Sequence, residues 1–215
     1  MKQEINIKLE AFEQGLELVK GFLDKLVGPS IEEVGLLLSD NIKLWRLKNQ
    51  IKILNKAKKI VENNNLSIKN ISLKVLVPLL EYSSLENDES LQDKWSNLLV
   101  NIADESSKIT TNIYPFILSQ LSSIEAKALL DFYKEKKIHY EDLYRKFYIT
   151  DEQISNLVRL GLIKRSNPEI IKNSDIAPLD YAVENNFILT DSEYTEITEL
   201  GLKFINIVEG LKYKK

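Results

Sequence analysis

Cysteine is absent from this chain of 215 residues. That excludes disulfide bridges, thiolate nucleophiles and cysteine-ligated zinc. Glycine and proline are scarce, at 7 and 5. The glycines are scattered, no two of them closer than six residues, so no glycine-rich loop can cradle a phosphate. No G-x-S-x-G elbow occurs either. The single histidine, His139, lies in KKIHYEDLY beside Glu141 and Asp142, a setting more typical of a structural side chain than of a catalyst. No acid–base pair stands out by its spacing, so no catalytic residue, metal ligand or cofactor site is assigned and a non-enzymatic role is expected.

Long apolar runs are also missing. The longest uncharged stretch, Ile109–Ile124, contains Asn112, Pro115 and Gln120 and is too short and polar to span a bilayer. The first residues, MKQEINIKLE, carry charge where a signal peptide would have its apolar core, so a cytoplasmic location is expected. Net charge is −3 and evenly spread: residues 1–110 hold 15 basic and 16 acidic groups, residues 111–215 hold 14 and 16. Neither half has the strongly basic character of a nonspecific nucleic-acid binder.

What is present favours helices. Hydrophobic residues make up 44% and charged residues 28%, ordinary for a globular protein. Ile5, Leu9, Phe12, Leu16, Val19, Leu23 and Leu26 alternate at spacings of four and three, which predicts a long helix with one narrow apolar seam. Gly15 and Gly21 weaken it by about 1 kcal/mol each relative to alanine if exposed. Gly28-Pro29 ends it, Ser30 and Glu33 fit a capping box, and a second helix is expected from about Ile31 to Glu62, stopping at Asn63-Asn64-Asn65. The pair reads as a helical hairpin, with a coiled-coil dimer as the rival use of the seam. Two further helices follow at about 72–84 and 88–104, with Asp88 as a cap and Pro78 kinking the first or marking its early turns. Residues 106–111 make the best linker, so domains are expected at 1–108 and 109–215. A short helix around Tyr114–Leu121 carries Pro115 in its first turn.

The second half reads as a winged helix-turn-helix-like domain. SSIEAKALLDFYKEKK is an amphipathic helix capped by Ser122 or Ser123. YEDLYRKFYI is a second, and TDEQISNLVRLG a third, capped by Thr150 or Asp151 and stopped by Gly161. FILT and YTEIT then suggest a small β-hairpin around Asp191-Ser192, before a last helix, ELGLKFINIVEG. Asn167–Asn186 is an insertion without an obvious element of its own. The fold class is therefore mainly α: a long helical hairpin plus a helical bundle, then the winged-helix-like domain.

Two surfaces are candidates for contact with a partner. KLWRLKNQIKILNKAKK, residues 43–59, holds seven basic residues and no acidic one. On a helical wheel Lys48, Lys52, Lys56 and Lys59 span roughly 80°, with Trp45 among them. Leu47, Ile51, Leu54 and Val61 form the opposite face. The stripe could meet phosphates or a membrane surface. It could equally be a solvated face complementing the seven acids of residues 81–105 within or between chains. The acids Glu86, Asp88, Glu89 and Asp93 lack the spacing and glycine of a calcium loop, and a helix start collects acids anyway. On the third helix of the second half, Gln153, Asn156 and Arg159 could read bases. Asp151 and Glu152 at its start would face phosphate, however, so a protein partner or self-association is favoured over nucleic acid.

One stretch resembles a known family. Gly28-Pro29, Glu33, Gly35, the run Trp45-Arg46-Leu47-Lys48-Asn49-Gln50, Pro78-Leu79-Leu80-Glu81, and Leu91-Gln92-Asp93-Lys94-Trp95 with Asn101 and Asp104 are similar to the bacterial abortive infection alpha (Abi-alpha) family. The resemblance covers roughly residues 25–135; Ser96 and Val100 depart from the alanine-like residues expected there. It implies a protein of bacterial defence against phage and brings no catalytic residues with it. Interaction through protein contacts is the expected mode of action, with a DNA-binding regulator and a membrane-active effector as alternatives.

Overall fold

The three-and-four spacing near the start forms α1 (Lys2–Val27) in a computed structural model of the chain, which describes residues 2–28, 44–135, 137–165, 170–172, 187–189 and 194–212. The chain divides into two compact units, residues 1–123 with 204–215, and residues 124–203.

In the first unit α1 packs on α2 (Leu44–Asn63), as a hairpin requires. Val19, Leu23 and Leu26 of the seam are buried, joined by Phe22 and Val27. The expected beginning of the second helix, Ile31–Lys43, with its cap Ser30 and Glu33, lies outside the described residues. After Asn65 come α3 (Leu73–Ser83), with Pro78 inside it, and α4 (Glu89–Ala103). Asp88 caps α4 by accepting from the Leu91 amide at 3.0 Å. This satisfies one of the orphan donors of the first turn.

Helix α4 is the axis of the unit. Eleven of its fifteen residues are buried, because α2, α3 and α5 (Ile113–Leu118) all contact it. A helix covered on most sides needs apolar residues nearly all round, and α4 supplies Leu91, Trp95, Leu98, Leu99, Val100 and Ile102. Ser96 is small for a reason: its hydroxyl lies 3.1 Å from the Ile53 carbonyl of α2, so the two backbones approach closely. Since α5 packs on α3 and α4, the first unit extends past the 108/109 boundary expected from sequence.

The second unit contains α6 (Ser123–Glu135), β1 (Lys137–His139), α7 (Tyr140–Phe147), α8 (Asp151–Arg159), β2 (Ile163–Arg165), β3 (Ile170–Lys172), β4 (Phe187–Leu189) and β5 (Tyr194–Ile197). Strands β1, β5 and β2 form an antiparallel sheet in that order, with Ile138 opposite Thr195 and Lys164 opposite Glu196. Strand β4 pairs with β3 instead, Ile188 opposite Ile171. The expected FILT–YTEIT hairpin is therefore corrected: its two strands belong to different sheets, and the insertion contributes the partner of the first. Asp191-Ser192 lies outside the described residues. Leu129, Phe132, Ile138, Ile154, Leu157, Leu162 and Ile197 are among the buried residues of this unit, and the Phe132 and Phe147 rings stack at 6.3 Å.

Two glycines explain the Leu-Gly-Leu repeats. Gly161, at φ +71, ends α8 in the left-handed conformation that only glycine adopts without cost. The Leu162 carbonyl then accepts from the Thr198 amide at 3.0 Å, and the Thr198 hydroxyl donates to the Gly161 carbonyl at 2.6 Å. This seats the start of α9 (Glu199–Val208) so tightly that a β-carbon on Gly201 would stand 2.1 Å from the Leu162 oxygen. Helix α9 begins in the second unit and ends in the first.

Candidate functional site

Helix α2 turns Leu54, Ile53 and Ala57 inward, which leaves its basic residues along the outer side. The structure divides the stripe rather than treating it as one surface. Lys56 is half-buried, 2.5 Å from Asp93 and 3.7 Å from Glu89. Lys48, Lys52 and Lys59 are exposed and make no ion pair among the described residues. Trp45 is 44% exposed beside them. Of the acidic segment, Glu89 and Asp93 meet Lys56, and other acids serve nearby backbone or Lys212. Asp88 caps α4, and Glu86 accepts from the Asp88 amide at 2.9 Å. Asp104 takes the Ser106 amide and hydroxyl at 2.8 and 2.6 Å and pairs with Lys212 at 2.9 Å.

The residues that carry the family resemblance have structural work that spacing did not reveal. Arg46 Nε donates to Ser84 Oγ at 2.9 Å, and Asn49 Nδ2 donates to the Ser84 carbonyl and to Asn87 Oδ1, both at 3.1 Å. Gln50 Nε2 reaches the Leu80 carbonyl and Gln92 Nε2 the Glu86 carbonyl, each at 2.9 Å. Together they grip the turn from α3 to α4 and give its Ser84 and Glu86 carbonyls side-chain donors. The available sequence signal was Asn49-Gln50 standing between Leu47 and Ile51 on a helix with little else polar on that side.

A second grip holds the end of the chain. Asn97 Nδ2 donates to the Val208 carbonyl at 2.9 Å and Asn101 Nδ2 to the Ile207 carbonyl at 3.0 Å. Lys94 pairs with Glu209, both nearly buried at 10% and 9% side-chain exposure. These partners stand 106 to 115 residues apart in sequence, so no local pattern announces them.

On α8 the three base-reading candidates are already engaged. Gln153 closes a capping box with Thr150, its amide donating to Thr150 Oγ1 and its side chain accepting from the Thr150 amide at 3.0 Å. Asn156 Nδ2 donates to Glu125 Oε1 at 2.7 Å, and Arg159 donates to Asn156 Oδ1 at 2.6 Å. Asp151, Glu152, Ser155, Asn156 and Arg159 line a shallow depression. The Thr150 hydroxyl, and then Glu152's own amide, hold the Glu152 carboxyl below the usual carboxylate range. At the adjoining turn Tyr148 adopts φ +53 and is 83% exposed. A left-handed bulky residue is strained, and this one offers its ring to solvent.

Among the described residues no three of histidine, aspartate and glutamate gather to hold a metal ion, and no helix is long and apolar enough to cross a membrane. His139 lies in β1, paired opposite Tyr194.

No match was found among curated proteins or among solved structures. The abortive infection alpha family model matches residues 41–208, which takes in α2 through α9, and the chain belongs to that family.

Proposed function

We propose that the protein acts in abortive infection as a non-enzymatic component of the bacterial cytoplasm, working through contacts with another protein. Family membership supports the role in defence against phage. The order α6-β1-α7-α8-β2-β5 and the sheet order β1-β5-β2 support reading the second unit as a winged helix-turn-helix. A winged helix serves protein docking as well as DNA, so the function is argued from the face of α8.

One observation carries the docking reading. Gln153, Asn156 and Arg159 are tied into the capping box and the Glu125–Asn156–Arg159 chain, while Asp151 and an ionised Glu152 occupy the helix start. A DNA backbone would meet negative charge there and find few free base-reading groups. A protein carrying basic side chains would meet complementary charge and the exposed Tyr148 ring, since aromatic residues are frequent anchors of interfaces.

The test uses the full chain, tagged and expressed in phage-challenged cells, alongside Tyr148→Ala and Asp151→Lys/Glu152→Lys. Wild-type protein should retain one protein partner and protect the cells, and both properties should fall together in the variants. Sequence-specific duplex binding at physiological salt, lost in Arg159→Ala, would reverse the reading in favour of a regulator.

A further inference from the structure

The first unit holds a cavity of about 470 Å³, open on one side, between α2, α4 and the turn after α9. Three lysines line it: Lys56 and Lys59, one turn apart on α2, and Lys94 on α4. Two of them are matched within the wall itself, Lys56 by Asp93 and Lys94 by Glu209. Lys59 has no such match among the described residues, and neither does the Ser90 hydroxyl in the first turn of α4. The cavity therefore presents one uncommitted cation and one uncommitted hydroxyl donor, with the exposed Asp93 carboxylate beside them.

We propose that this cavity binds a small phosphate-bearing molecule that also carries hydroxyl or amine groups. Lysine recognises phosphate as a mobile point charge, and here Lys59 is free to swing onto it with Lys56 close by. Asp93 and Glu209 would repel a bare polyanion. They suit a ligand whose phosphate lies toward Lys59 and whose hydroxyl or amine donors face the carboxylates. The volume falls within the ordinary range for small-molecule sites. The inference narrows the basic stripe to Lys56 and Lys59, because Lys48 and Lys52 do not line the cavity. It is independent of the docking face on α8.

Isothermal titration of the full-length protein at fixed ionic strength tests it with three probes: inorganic phosphate, adenosine 5′-monophosphate and uncharged adenosine. Vesicles of phosphatidylserine or of phosphatidylcholine form a parallel arm, which separates a lipid headgroup from a free phosphate. The expected result is saturable, one-to-one binding of the nucleotide, absent for adenosine. It should weaken about tenfold in Lys59→Ala, the loss of one charge-assisted hydrogen bond, and be unchanged in Lys48→Ala/Lys52→Ala. No binding of either phosphate probe overturns the proposal. So does an equal loss in the Lys48→Ala/Lys52→Ala variant, or binding to phosphatidylserine vesicles alone, since each marks a diffuse basic face and not a cavity.

Discussion

Replacing Lys94 by methionine tests how the end of the chain is held. The substitution keeps the aliphatic stem and removes the ammonium that faces the Glu209 carboxylate, which is 9% exposed. Breaking a buried ion pair from one side costs about 3–5 kcal/mol, mostly the penalty for the stranded charge. Both groups also border the open cavity, where water can approach, so the lower end, about 3 kcal/mol, is the expected cost. For a chain of this size that lowers Tm by about 6–12 °C. Trp95, fully buried in α4 next to Lys94, gives the fluorescence signal, and Trp45→Phe removes the exposed tryptophan from the background.

The double variant Lys94→Met/Glu209→Gln decides what the cost means. With both charges of the pair gone the two losses should not add, and the pair should show a coupling of about 2 kcal/mol in the cycle. A single substitution costing under about 1 kcal/mol, with no coupling, would show that the pair behaves as a solvated surface bridge. The reasoning from burial would then fail.

Five further outcomes are expected. Gly201→Ala should cost about 1–3 kcal/mol or more in denaturant unfolding, because its β-carbon meets a backbone carbonyl that cannot move aside. Gly21→Ala, with nothing within 4 Å of the new carbon, should instead stabilise by up to about 1 kcal/mol. Lys48→Glu/Lys52→Glu should leave stability within about 0.5 kcal/mol, as expected of exposed groups away from any specific partner. Lys56→Glu, placed against Asp93 and Glu89, should lower it measurably at low salt and less at high salt. Thr150→Val should cost about 1 kcal/mol as a lost cap and raise the Glu152 pKa toward its ordinary value in a side-chain NMR titration. Because the folded-state pKa is depressed, the associated stability is present above the unfolded value and is lost as pH falls through the folded one.

The helices were legible because their signals are local. Asp88 and Thr150 stand one residue before their helices, and Gln153 completes a capping box three residues on. Gly161 stops α8 for a reason that involves only its own backbone. The strands were less legible because each has three or four residues, too few to show a period of two, and their partners are distant. Strand β4 reads as half of a hairpin with β5 if only neighbours are considered. Its actual partner is β3, inside a segment that showed no pattern.

The candidate site divides along the same line between local and distant interactions. Seven basic residues without an acid are plain in the sequence, but which lysine meets a carboxylate depends on how α2 lies along α4. Lys56 meets Asp93, 37 residues away, and Lys59 meets none among the described residues. The motif residues teach the converse. Arg46, Asn49, Gln50 and Gln92 hold the turn from α3 to α4, Asn101 holds the chain end, Asp104 ties down the turn after α4, and Trp95 fills the core. A polar side chain committed to an interior carbonyl is less available to a ligand, because turning away gives up a hydrogen bond worth about 0.5–1.5 kcal/mol. Groups able to act outwardly are those with no such obligation: Lys48, Lys52 and Lys59 along α2, and the Tyr148 ring at the start of the α8 face. In this chain the residues that identify the family and the residues free to meet a partner are therefore largely different sets, and substitutions in the second set should alter binding without unfolding the protein.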